Sequence, residues 1–292
     1  MFYDYKKVKF LNTMKKIKFS DVHYIIFSKD RPIQLYSLLE SIETIIKANS
    51  IEVIYSASSE FIKGYKQVFD RFPVVKKIKE TDFSKNTREA VARVQNSYIA
   101  FLVDDDIFYK NPPRDYFIPN NEILCFSPRL GINHNYCQPA NKRYDSLYAQ
   151  GIQGDIEYSW YWKNMPFDLG YPFSLDGNIF KTELIKEAFN IIREFSNPNT
   201  LEDSLMYFNP LMHKVDKTKI SAFKESFLIN LPMNRVNLTH TNTAGEITTN
   251  GGIKELNEQF LLGLKIDWLN MKFNNIKECH KEIDLVFTYI TE

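Results

Sequence analysis

Between residues 22 and 103 apolar, strand-like runs alternate with stretches of helical periodicity, and this alternation restricts the fold more than any other feature. Val22–Phe27, Ile51–Tyr55, Val74–Ile78 and Tyr98–Val103 read as strands. Leu35, Leu38, Leu39, Ile42, Ile45 and Ile46 recur at helical spacing after the first strand. Phe61, Tyr65, Val68, Phe69 and Phe72 do so after the second, and Val91 and Val94 after the third. Pro32 suits a helix start and Ser84 an N-cap. Strand–helix alternation with short connections predicts the α/β class, with a doubly wound, mainly parallel sheet. In such sheets ligands bind beyond the carboxyl ends of the strands. Four loops should therefore converge: Ser28–Arg31, Ser56–Ser59, Asp82–Arg88 and Asp104–Asp106.

The fourth strand ends in Asp104-Asp105-Asp106. Three adjacent carboxylates repel one another and raise each other's pKa. Solvation in an acidic turn relieves that cost, and so does a divalent cation; hard oxygen ligands suit Mg²⁺ or Mn²⁺. Arg31, Lys85 and Arg88 bring positive charge to the same edge, each also readable as a surface charge. Metal and basic groups together suit a nucleotide diphosphate, whose oxygens need cations and backbone donors.

A hydrophobic fraction of 44% with 25% charged residues provides for a sizeable core and argues against disorder. The net charge of +1 gives no reason to expect nucleic acid. Cys125, Cys137 and Cys279 are odd in number and form no CxxC pair, so reduced thiols in a cytoplasmic protein are expected. His134 with Cys137 lacks the further ligands a soft metal would need. No run of about 18 apolar residues is present, so no membrane span is expected. Residues 1–20 alternate lysines with apolar residues. They read either as a solvated flap or as a contact with an anionic membrane surface at the inner face.

After Pro112-Pro113 the pattern changes. Ile123–Ser127 is a further strand, and residues 129–170 show no clean period, which in an enzyme points to a functional loop. Tyr158-Ser159-Trp160-Tyr161-Trp162 reads either as a platform for sugar rings, through Trp160 and Trp162, or as packing of that loop onto the core. A turn over Gly170–Asn178 enters a short strand, and Thr182 caps a helix through Phe195. Another helix starts at Thr200-Leu201-Glu202-Asp203. Its dipole favours acids in the first turn, and the same placement suits a general base on a rigid element. His240 sits in a polar loop, and two helical stretches, about 251–270 and 274–290, close the chain.

Taken in order, these marks resemble a GT-A-fold glycosyltransferase, close to the bacterial family 2-like enzymes. They are the Ser-Lys-Asp-Arg-Pro turn, the DxD element Asp104–Asp106, the glycine-containing segment Gly170–Asn178, the xED element Leu201-Glu202-Asp203, and His240 as a C-terminal metal-binding His. His213 is a second candidate for that role. The opening turn departs from the Pro-Xaa-Tyr/Phe-Asn-Arg-like form more frequent in the family. The resemblance covers roughly residues 20–245.

It implies a GT-A (Rossmann-like) catalytic domain over residues 21–245. Residues 21–110 would bind the nucleotide and 111–245 the acceptor, and 246–292 would form a helical C-terminal extension. It implies a metal-dependent, inverting transfer of hexosyltransferase type. The sugar would pass from a nucleotide-sugar donor, a UDP-sugar favoured, to a hydroxyl of a glycan or lipid-linked acceptor. Asp203 would be the base. Ser28, Asp30, Arg31, Ser56, Asp82, Lys85, Arg88, Asp104 and Asp105 would serve the donor. Trp160, Trp162, Asp176, Gly177 and Glu202 would serve the sugar and acceptor. Asp104, Asp106 and His240 would hold Mn²⁺ or Mg²⁺. The Lys-, Asn- and Ile-rich composition fits an AT-rich bacterial genome and surface polysaccharide synthesis. Two rivals stand beside this reading: a sugar-phosphate nucleotidyltransferase, which should open with a glycine-rich loop that Ser28–Arg31 lacks, and a non-catalytic carbohydrate-binding protein with a degenerate site.

Overall fold

A computed structural model of the chain describes residues 15–152, 154, 156–207, 211–234 and 251–291. The first half follows the expected alternation. Strand β1 (His23–Lys29) leads to helix α1 (Pro32–Ser41), β2 (Ser50–Ser56), α2 (Ile62–Arg71), β3 (Lys76–Lys79), α3 (Phe83–Arg93) and β4 (Tyr98–Val103). Pro32 opens α1, where its fixed φ and missing N–H cost nothing. Asp82 rather than Ser84 caps α3, its side chain accepting the Lys85 N–H.

Beyond β4 come a short β5 (Asp106–Phe108), β6 (Ile123–Phe126), β7 (Glu157–Tyr161), β8 (Ile179–Lys181), α4 (Thr182–Phe189), α5 (Pro198–Met206), β9 (Lys219–Phe223), β10 (Leu228–Asn230) and α6 (Ile253–Leu261). Eight strands form one sheet in the order β7-β9-β6-β8-β4-β1-β2-β3. The half made by β4, β1, β2 and β3 is parallel throughout, while β8 runs antiparallel to both its neighbours. The sheet is therefore mixed.

Successive residues of a strand face opposite sides, and both sides are buried here. Tyr24, Ile26, Ala100 and Leu102 enter one core with α1, α2 and α6. Ile25, Phe27, Ile99 and Phe101 enter the other with α3, α4 and α5. This is the three-layer packing that a run buried on both faces demands.

Further local expectations change, and the helix expected over 251–270 spans only Ile253–Leu261 before the strand Leu264–Ile266. Helix α4 stops at Phe189, short of Phe195. The stretch 274–290 is not helical: Phe287–Tyr289 pairs with Leu264–Ile266, and Asn275 takes a left-handed φ of 52°. Its apolar residues Ile276, Ile283, Leu285, Phe287 and Ile290 pack against the core instead. Trp160 and Trp162 belong to the core, because β7 alternates inward Tyr158 and Trp160 with outward Ser159 and Tyr161. Their indole N–H groups donate to the carbonyls of Leu169 and Val215. No helix of the described residues is long and apolar enough to cross a membrane.

Candidate active site

A cleft of about 410 Å³ opens beyond the carboxyl ends of β1 and β4. One wall is the acidic triplet. Leaving β4, the chain turns at Asp104-Asp105 and re-enters as β5, which pairs antiparallel with β10 so that Asp106 stands opposite Asn230. The three carboxylates are buried. Asp104 accepts the Lys29 N–H at 3.1 Å and Arg31 Nη1 at 3.0 Å; Asp105 accepts the same Nη1 at 2.9 Å. Asn230 Nδ2 donates to Asp105 at 2.8 Å and to Asp106 at 3.1 Å, and the Val103 N–H reaches the second Asp106 oxygen at 2.9 Å. Arg31 is held in turn by Asn234, whose side chain and carbonyl both accept from it.

Desolvation dominates the titration of Asp104 and Asp106. Burial raises the Asp104 carboxyl to about 6, with Arg31 opposing the rise. Burial and then the charge of Asp176 push Asp106 well above the ordinary carboxylate range.

The facing wall comes from the turn before β8 and from α5. Gly177 takes φ 88°, and a Cβ there would come within 2.1 Å of a Leu228 methyl. Its N–H bonds the Phe101 carbonyl at 2.7 Å, which pulls the turn against β4 and sets Asp176 beside the triplet. Arg129 donates to Asp176 at 3.0 Å and to Asp168 at 3.1 Å, and Ser174 adds a second donor to Asp176. Helix α5 presents its N-terminus to the cleft through Asn197, Pro198 and Asn199. Asn197 and Thr200 close it as a reciprocal cap. One turn on, Glu202 accepts the Leu175 N–H at 2.7 Å and faces the cleft. Burial first, and the Asp176 charge second, push Glu202 up to about 8.

Several residues expected at the site do meet there: Ser28, Arg31, Asp104, Asp105, Asp176 and Glu202 line the cleft. Asp106 lies buried directly behind it. Asp203, half-buried at the next position of α5, is not among the lining residues. Asp30 and Ser56 brace the turn after β1, Asp30 accepting the Ser58 N–H and donating its own N–H to the Ser56 carbonyl. Asp82 and Lys85 are exposed at the start of α3. Arg88 is engaged elsewhere, donating to the carbonyls of Phe189, Ile192 and Arg193. Trp160 and Trp162 are in the core and Gly177 serves the turn. His240 lies outside the described residues, and His213 is exposed away from the cleft.

Carboxylate oxygens are the right donors for Mg²⁺ or Mn²⁺. Here each oxygen of the triplet already accepts a hydrogen bond, Arg31 occupies the cation position between Asp104 and Asp105, and Asp106 is fully buried. Among the described residues no three His, Cys, Asp or Glu side chains gather into a group that could hold a metal ion. The residues as arranged do not fit an ion bridging Asp104 and Asp106.

The cleft also takes in Lys29 of the opening turn, and residues without a sequence signal: Glu80, Gln138, Asn230, Asn234 and His280. Asn230 lies within an apolar run, and His280 sits in the stretch expected to be helical. Neither carries a local pattern that separates it from ordinary surface residues.

No family model matches the chain. A curated relative, the bifunctional glycosyltransferase pgtA of Dictyostelium discoideum, is 26% identical over 216 residues, or 64% of this chain. The chain spans only 28% of that relative's length. Among solved structures, a cytidylyltransferase from Leptospira borgpetersenii is 12% identical over 66% of this chain and 71% of its own, with a TM-score of 0.37. A 4-diphosphocytidyl-2C-methyl-D-erythritol synthase from Anaerococcus prevotii is 11% identical over 82% of this chain and 97% of its own, with a TM-score of 0.35. At such scores the structural likenesses carry nothing about chemistry. The pgtA match stands apart from them as a likeness in sequence, and its 216 residues are similar to part of a glycosyltransferase.

Proposed function

We propose that the chain is a glycosyltransferase that moves a sugar from a nucleotide-sugar donor to an acceptor hydroxyl, with inversion at the anomeric carbon. The observation that carries this reading is a single cleft at the carboxyl edge of parallel strands. The Arg31-bound pair Asp104 and Asp105 lines one side of it, and Asp176 with Glu202 the other. The likeness to a glycosyltransferase in sequence supports sugar transfer over other uses of such a cleft.

In this reading the donor lies along the ends of β1 and β4. The exposed ammonium of Lys29 and the N-terminus of α5 supply positive potential for the diphosphate. Glu80 lines the same cleft half-buried, its carboxyl raised by burial, and suits a base edge that presents N–H groups. Arg31 balances the charge of Asp104 and Asp105, so no step is assigned to a divalent ion.

Glu202, rather than Asp203 beside it, takes the acceptor proton. It faces the cleft, and burial raises its carboxyl to about 8, which makes it a stronger base than an ordinary glutamate. As the acceptor oxygen attacks, its proton passes to Glu202 and the glycosidic bond to the diphosphate breaks, with the electron pair leaving on the phosphate oxygen. Attack opposite the leaving group inverts the configuration.

A thermal-shift screen of nucleoside diphosphates and nucleotide sugars, run with Mn²⁺ and with EDTA, tests this reading. One nucleoside diphosphate and its sugar conjugates are expected to raise the melting temperature. Equal silence from all of them sinks the proposal, and a shift seen only with Mn²⁺ replaces the role given to Arg31.

A further inference from the structure

The residues 276–281 run back across the molecule and are tied to Asn230 on the acidic wall and to the loop at Asn135. Asn135 N–H bonds the Lys277 carbonyl at 3.0 Å, Asn230 N–H the Cys279 carbonyl at 3.0 Å, and Lys281 N–H the Asn230 carbonyl at 3.1 Å. This strap delivers His280 between the two walls. Its Nε2 lies 3.3 Å from Arg129 Nη1, 3.6 Å from Asp176 and 3.8 Å from Asp168, and its Nδ1 lies 3.3 Å from Asn230 Oδ1.

The Arg129 end of this chain of contacts has fixed polarity, because a guanidinium only donates. With Arg129 Nη1 donating, His280 Nε2 accepts, so the ring proton sits on Nδ1. That N–H then donates to Asn230 Oδ1. The amide is thereby held with Nδ2 toward the acids, donating to both Asp105 and Asp106. Every link takes its one allowed direction.

We infer that His280 is a positioning residue of the donor site, linking buried Arg129 through Asn230 to the acidic triplet by a one-way hydrogen-bond relay. The relay fixes which face Asn230 shows to Asp105 and Asp106, and so where those carboxylates stand when a diphosphate enters. It couples the two walls through a strap remote in sequence from both. The inference rests on the sugar-transfer reading for what the triplet binds, and on geometry alone for the relay itself.

The test compares His280→Asn, His280→Gln and His280→Ala in the 292-residue chain. An asparagine amide can occupy the place of Nδ1 and donate to Asn230, whereas a glutamine reaches only toward Arg129. Affinity for the nucleoside diphosphate that the unaltered protein binds is expected to fall about tenfold in the Gln and Ala variants. It should stay within about threefold in the Asn variant. Equal loss in all three, or none in any, overturns the relay. The second measurement needs no ligand. Imidazole ¹⁵N spectra at about pH 8.5, where an ordinary histidine is neutral, are expected to show His280 protonated on Nδ1; protonation on Nε2 overturns the relay. An unaltered protein that binds no nucleoside diphosphate defeats the sugar-transfer reading and leaves the tautomer to decide the relay.

Discussion

Two buried arginines organise the two walls of the cleft, and they differ in instructive ways. Arg31 bridges Asp104 and Asp105 at 3.0 and 2.9 Å; Arg129 bridges Asp176 and Asp168 at 3.0 and 3.1 Å. Arg31 sits on the turn leaving β1 and lines the cleft, within reach of an entering ligand. The Arg129 side chain is 1% exposed and does not line it. A buried pair broken on one side leaves an uncompensated charge. Arg129 therefore belongs to the stability of its wall, and in the proposed reading Arg31 belongs to binding as well.

The largest effect that can break this division is on turnover. Glu202→Gln is expected to lower sugar transfer about a thousandfold, with nucleoside diphosphate affinity within about threefold, read by product formation and calorimetry. A larger loss in Asp203→Asn than in Glu202→Gln would return the base role to Asp203.

Next come the arginines themselves. Arg129→Met should cost about 3–5 kcal/mol of stability in denaturant melts, because two buried aspartates lose their cation. Arg31→Met should cost stability and donor affinity together. Equal affinity in the two variants, each measured where it is still folded, would erase the contrast.

Smaller is the turn between the walls. Gly177→Ala combines a left-handed φ with a clash against Leu228, and is expected to cost about 1–3 kcal/mol in the same melts. An unchanged midpoint would mean that the turn does not hold Asp176 in place.

The smallest effect is on pH dependence. Glu202 has a folded value near 8 against an ordinary value near 4.5. Across that window the folded chain keeps the proton and the unfolded chain has lost it, so the contribution of Glu202 to stability falls as pH rises. Glu202→Gln should remove that part of the slope, and should also remove an acid limb of activity with a midpoint near 8. A limb that survives the substitution belongs to another group.

The same contrast explains what could be read in advance. The parallel half was legible because its information is local: apolar runs, helical spacing and a proline at N1 need no partner to be recognised. The acidic triplet, Arg31 and the acids of α5 were visible for the same reason, as motifs at strand or helix ends. The second half depends on tertiary pairing. Trp160 and Trp162 are aromatic on a surface or in a core alike, and only the period of β7 and its sheet partner decide which. Arg129, Asn230 and His280 are isolated polar residues, with meaning only once β10 and the strap lie side by side. The helical reading of 274–290 failed because pairing of Phe287–Tyr289 with Leu264–Ile266 overrode a weak apolar spacing.

The strap has a consequence for the order of events during synthesis. Residues are added at about 5–20 per second, so His280 leaves the ribosome roughly ten to thirty seconds after the acidic triplet. Until then Asn230 lacks the His280 contact that orients its amide in the proposed relay, so the cleft is completed last, from the C-terminal strap.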